Sequence, residues 1–161
     1  MKGILAVDPG LSGGLAIRTG ALGVITEAMP VCAGEIDLAG LTRWLRAHAD
    51  SIDMAYVEKV HSMPAQGVSS SFKFGDGFGS VKGILTVLGI PFELVTPQKW
   101  MKVMHAGVSP ELGSKERSQL ACSRIFPGLD LRESPRCRKP HEGMVEALLL
   151  AEFGMRLRVL R

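Results

Sequence analysis

The sequence predicts one mixed α/β domain: a five-stranded mixed sheet flanked by helices. Three observations carry this. Short apolar runs joined by Gly-containing turns open the chain, the pattern of antiparallel hairpins. Apolar strand-like runs then alternate with longer segments of helical periodicity, the pattern of crossover units. A length of 161 residues with 46% hydrophobic residues suits one ordinary core, so 1–161 reads as a single domain without repeat or linker.

The elements follow in order. Residues 3–7, 14–18 and 23–29 read as three short strands, the first buried on both faces and the next two completing a meander with it. Residues 36–48 read as a helix with Ile36, Leu38, Leu41, Trp44 and Leu45 on its apolar face and Arg43 and Arg46 off it. Met54-Ala55-Tyr56-Val57 is again strand-like and ends at Glu58. After a loop with Pro64 and Gly67 comes a Ser/Phe/Gly-rich helix over 69–89, then a short strand over 92–95. Thr96 as N-cap and Pro97 at the first helical position open another helix. Residues 114–125 form a helix capped by Ser114, and 127–140 a Pro- and Arg-rich loop. The last helix runs from about Pro140 to the end.

Composition narrows the function classes. Cys32, Cys122 and Cys137 are odd in number and far apart, with no Cys-x-x-Cys pair, so neither a disulfide framework nor a zinc site is indicated and a reducing cytosol is expected. The opening apolar run meets Asp8 too soon for a secretory signal, and Gly, Pro and Glu interrupt the apolar stretch around Ile84 to Val95 before it could span a membrane. Residues 1–98 carry 7 Lys/Arg and 9 Asp/Glu, whereas 99–161 carry 12 Lys/Arg and 7 Asp/Glu. A basic C-terminal part suits a polyanion such as nucleic acid, although a solvated surface would look the same.

The acids carry the chemistry. Asp8 ends the first apolar run at the turn Asp8-Pro9-Gly10, and Glu58 ends the fourth. In an open α/β sheet, ligands gather beyond the carboxyl ends of strands, so neighbouring strands would aim both carboxylates into one crevice. Glu142 and Glu146 are four apart and share one helix face, with His141 just before them. Such a pair repels itself unless a helix N-terminus or a cation offsets it. Hard oxygen donors of this kind suit Mg²⁺ or Mn²⁺, and a metal pair about 3.5–4 Å apart supports phosphodiester hydrolysis. Glu152, by contrast, reads as a solvated surface acid.

In combination and order, the motifs resemble RuvC-type Holliday junction resolvases of the RNase H-like superfamily, in their short bacterial and phage-borne form. The resemblance rests on Ala6-Val7-Asp8-Pro9-Gly10, Tyr56-Val57-Glu58-Lys59-Val60, Phe74-Gly75 with Gly79, Thr96-Pro97-Gln98-Lys99-Trp100, and Lys139-Pro140-His141-Glu142-Gly143 to Glu146-Ala147-Leu148. It covers nearly the whole chain. It implies that Asp8, Glu58, Glu142 and Glu146 hold two Mg²⁺, with Mn²⁺ able to substitute, and direct water at the scissile phosphate of branched DNA. It further implies a homodimer that cuts opposed strands of a four-way junction in recombination and repair, inside a bacterial cell or phage-infected host. The Gly-rich face of the 69–89 helix is the expected dimer interface.

Three features depart from the family. Both acids on the last helix are glutamates where aspartates are commoner, and His141 is an alternative ligand. The position for a base-stacking aromatic after the second acid holds His61, a weaker stacker. Lys73, Lys82, Lys99, Lys102 and Lys115 are candidate phosphate contacts, with Arg132, Arg136, Arg138 and Lys139 leading into the acidic helix. Two other readings stay open: a branched-DNA-binding protein of the same fold without catalysis, and a nucleotide-binding domain of the kinase or actin-like ATPase kind. Against the second stand the chain's size and the Glu142/Glu146 pair, which has no task there.

Overall fold

Successive side chains of strand β1 (Gly3–Asp8) enter two different cores, because both faces of the sheet are covered. The computed structural model describes residues 2–20, 23–59 and 67–159. Strands β2 (Gly14–Thr19) and β3 (Gly23–Ala28) complete an antiparallel meander with β1, followed by a two-residue-strand hairpin, β4 (Val31–Cys32) and β5 (Glu35–Ile36). Helix α1 (Leu38–His48) leads through a short 3₁₀ turn into β6 (Ile52–Glu58). Helix α2 (Val68–Val87), β7 (Phe92–Val95), α3 (Pro97–Met104), α4 (Ser114–Ile125) and α5 (Glu142–Val159) follow. The main sheet has the order β3-β2-β1-β6-β7, with β6 parallel to both β1 and β7.

Period-2 alternation sorts the layers. Ile4, Ala6, Ala16 and Tyr56 point into one core with α3, α4 and α5. Leu5, Val7, Leu15, Ile17, Ala55 and Val57 point into the other with α1 and α2. Helix α5 is apolar nearly all round, as a helix packed between a sheet and other helices must be. Its first turn meets the β1–β2 turn backbone to backbone: a Cβ on Gly143 would collide with Ser12 and Gly13, and one on Gly14 would lie 2.6 Å from the Gly143 carbonyl.

Several expectations change. Helix α1 starts at Leu38, not Ile36, because the Asp37 carboxylate accepts the Gly40 N–H at 2.9 Å and sets the start there. Ile36 lies in β5, Leu38 is exposed, and the buried face of α1 is Leu41 and Leu45 with Trp44 half-buried. The β4–β5 hairpin has no long alternating signal; its Ala33-Gly34 turn takes positive φ at both residues. Helix α4 is not capped by Ser114, which is its first residue and turns its hydroxyl to the Met101 sulfur. Gly113 precedes the helix, and its N–H donates to the Glu116 carboxylate at 3.3 Å. Thr96 does precede α3, but only its carbonyl caps: it accepts from Lys99 and Trp100. Helix α5 begins at Glu142, two residues after Pro140.

Glu152 is not a solvated acid. Its side chain is 13% exposed and accepts from Arg18 at 3.1 Å and Arg156 at 3.2 Å. Arg18 is buried on the Phe126 ring, and its guanidinium also donates to the Thr19, Gly20 and Gly23 carbonyls, so the pair ties the meander to α5. Among the described residues, no helix is long and apolar enough to cross a membrane.

Candidate functional site

Strand parity brings the acids together. Asp8 follows Ala6 by two residues and Glu58 follows Tyr56 by two, so both side chains leave the sheet on the α5 side. Val7 sits opposite Val57 in the parallel β1–β6 pair, and the two acids are the next residues, at the carboxyl ends of neighbouring strands. The Gly143 contact with the β1–β2 turn then sets the start of α5, with Glu142 and Glu146, against that crevice.

Asp8 acts electrostatically on both Glu58 and Glu146. Burial raises the Asp8 carboxyl above the usual carboxylate range, opposed by the Gly10 N–H at 3.3 Å and by His141. Glu58 is pushed up to about 7, first by burial and then by the Asp8 charge, with Glu146 adding to it. Glu146 is likewise pushed up to about 7, by burial and then by Asp8 and Glu142, against the pull of Lys115. Burial and mutual repulsion outweigh the two cations that act on these carboxyls, His141 on Asp8 and Lys115 on Glu146.

Glu142 stands apart. Its side chain is 49% exposed and forms an ion pair with the Lys115 ammonium from the first turn of α4. The His141 carbonyl accepts the Val145 N–H, and its ring Nδ1 accepts the Met144 N–H at 3.3 Å. The ring thus caps the first turn of α5 through Nδ1.

Trp100 is a site residue whose role the sequence reading missed. Its side chain is fully buried, and its Nε1–H donates to Glu58 at 2.8 Å. A buried indole N–H needs an acceptor, and that need is the signal that could have assigned it. His105 packs edge-on to Trp100 at 5.8 Å and joins Ser118 Oγ through Nε2 at 3.0 Å. Burial and then Arg117 lower the His105 pKa, so the ring behind the tryptophan stays neutral at pH 7. The Arg117 Nε is buried with no hydrogen-bond partner among the described residues. Trp100→Phe is expected to push the Glu58 carboxyl above about 7, because a hydrogen bond to the charged form is lost. Carbon-13 NMR titration of the glutamate carboxyls measures this; an unchanged Glu58 midpoint would show the contact to be inert.

The basic candidates are spread out. Lys99 and Lys102 are exposed on α3, and Arg138 and Lys139 are exposed just before α5. Lys73 pairs with Glu35 at 3.8 Å, Lys82 lies 4.5 Å from the Phe78 ring centre, and Arg132 is tied to Asp130 at 2.7 Å. Lys115 alone of these is paired with one of the candidate acids. His61 lies outside the described residues. A cleft of about 430 Å³ between the β1–β2 turn, β5 and α2 holds none of the four acids.

The donor set fits a hard divalent cation. Asp8, Glu58 and Glu146 offer carboxylate oxygens, and a cation would offset the cost of their burial and mutual repulsion. The shell is not closed as it stands: among the described residues, no three His, Cys, Asp or Glu side chains are grouped to hold an ion.

No protein-family model and no curated protein matches this sequence. Solved structures do. The chain superposes on RuvC of Thermus thermophilus in complex with a Holliday junction substrate, with a TM-score of 0.66 and 19% identity over 98% of this chain and 97% of that one. A second Thermus thermophilus RuvC structure matches with a TM-score of 0.60 and 19% identity, over 97% and 96%. Strand order, helix placement and these superpositions agree: the chain has a RuvC-type, RNase H-like fold.

Proposed function

We propose that this protein is a Mg²⁺-dependent, structure-selective DNA endonuclease that resolves four-way junctions by paired hydrolysis of opposed strands. The observation that carries this is the placing of Asp8 and Glu58 at the carboxyl ends of the neighbouring strands β1 and β6 with Glu146 acting on Glu58 from α5, their burial outweighing the pull of His141 and Lys115. Likeness to a RuvC that binds a Holliday junction substrate supports the choice of substrate.

Asp8, Glu58 and Glu146 would hold two Mg²⁺, or Mn²⁺ in their place. The ions supply Lewis-acid activation of water and charge neutralisation at the scissile phosphate. Asp8 would be the short ligand, with the Gly10 N–H on its carboxylate. Glu58 is oriented by Trp100, and Glu146 by the packing of α5. The longer glutamate side chains would supply the remaining carboxylate oxygens. Lys115, paired with Glu142, and the exposed Lys99, Lys102, Arg138 and Lys139 are the candidate phosphate contacts, so binding falls with salt. Lys73 and Lys82 lie on α2, on the other side of the sheet from α5, and would meet more distant arms.

Paired incision needs two sites related by a two-fold axis. The proposed interface is the outer face of α2, where Gly75, Gly79 and Gly83 have open space above them and Val68, Phe72 and Val87 are exposed. Gly77 is not part of it: it is buried under Ile36.

A labelled immobile four-way junction tests the reading. With Mg²⁺ or Mn²⁺, symmetric nicks are expected in two opposed strands, and none with chelator. Binding without nicks under any metal would make this a branched-DNA-binding protein. Neither binding nor nicking would return the nucleotide-binding alternative.

A further inference from the structure

We propose that Glu142 is a positioning residue for Lys115 and lies outside the metal-holding set: the pair aims the Lys115 ammonium at the DNA phosphate beside the Asp8–Glu58–Glu146 centre. This deepens the nuclease reading above and rests on it.

Geometry separates Glu142 from the other three acids. It is the first residue of α5, one helical turn or about 6 Å along the axis from Glu146. Its side chain is half exposed, whereas burial is the largest influence on Asp8, Glu58 and Glu146 alike. Its charge acts on Glu146, but the groups acting on Asp8 are Gly10 and His141, and those acting on Glu58 are Asp8, Trp100 and Glu146. Glu142 thus borders the centre without entering it.

Its partner explains its position. Lys115 reaches Glu142 from the first turn of α4, with its own side chain 68% exposed. An ammonium has three N–H donors. One directed at Glu142 fixes the side chain and leaves two to address a phosphate arriving at Glu146. A lysine without such a tether would sample many rotamers and lose them on binding DNA. An exposed pair of this kind adds little to stability, so stability does not account for it.

The test uses the whole protein and two readouts: Mn²⁺ affinity by electron paramagnetic resonance without DNA, and the salt dependence of junction binding in chelator. Glu146→Gln is expected to weaken Mn²⁺ binding at least about tenfold, and Glu142→Gln less than about threefold. Glu142→Gln and Lys115→Met are each expected to lower the salt slope by about 1, and the double variant by no more than either alone. Loss of Mn²⁺ affinity in Glu142→Gln equal to that in Glu146→Gln would overturn the assignment while leaving the nuclease reading intact. Additive slopes in the double variant would overturn it as well. A wild-type protein that binds no Mn²⁺ would overturn the nuclease reading itself, and this assignment with it.

Discussion

Asp8→Asn is expected to abolish metal-dependent nicking, by about 10³-fold or more, and at the same time to stabilise the metal-free fold. The two effects have one cause. Asp8 is the innermost acid, and its carboxyl is disfavoured as an anion mainly by burial. An asparagine keeps the shape and removes the charge, which relieves Glu58 and Glu146, both of which Asp8 pushes up. The same logic fixes the pH dependence of the metal-free wild type. Glu58 and Glu146 rise from 4.5 to about 7 in the folded state, so between those values the folded chain binds more protons than the unfolded one. Stability contributed by these groups is present below about 4.5 and falls as pH rises through about 7. At about 1.4 kcal/mol per unit, each of the two loses on the order of 3 kcal/mol over that window. Mn²⁺ at about 100 times its Kd should restore about 2.7 kcal/mol. Thermal melts of both proteins across pH 5–8, with and without Mn²⁺, measure all of this. A wild-type protein that gains stability towards pH 8 without metal would contradict it.

Gly143→Ala is expected to damage fold and site together. The new methyl would collide with the backbone of Ser12 and Gly13, which cannot rotate away as a flexible side chain can. Overpacking of this kind costs about 1–3 kcal/mol, and the way to relieve it is to move the start of α5 off the β1–β2 turn. Glu146 moves with α5, so Mn²⁺ affinity should fall along with the melting temperature. Gly79→Ala is the contrast: its methyl enters open space on α2 and should raise helix propensity by about 1 kcal/mol. A monomer should tolerate it. Weakened dimerisation would place a partner helix on that face. Unchanged melting and unchanged Mn²⁺ affinity in Gly143→Ala would show that the contact does not set the site.

Much of the fold was legible because its strands carry clear signals. Runs such as Ile4 to Val7 and Met54 to Val57 are apolar on both faces, and only a sheet covered on both sides accepts that. That Asp8 and Glu58 end strands could be read for the same reason, whereas the pairing of their strands as neighbours came from the fold. Side-chain partners were harder. Glu152 read as a surface acid because its cation, Arg18, is 134 residues away in sequence. Trp100 lies 42 residues from Glu58, so nothing local marks it as the carboxylate's donor. Ser114 looked like a cap because serine is common there, yet the Met101 sulfur takes its hydroxyl. The i,i+4 spacing of Glu142 and Glu146 suggested one shared task, but no local signal showed that Glu142 also pairs with Lys115 from α4.

The most direct measurement is anomalous diffraction from crystals of the protein soaked in Mn²⁺. Mn²⁺ peaks are expected between Asp8, Glu58 and Glu146, at about 2.0–2.2 Å from their oxygens. Crystals with no ion against Asp8, or with Mn²⁺ bound only at exposed acids elsewhere, would contradict a metal-dependent nuclease.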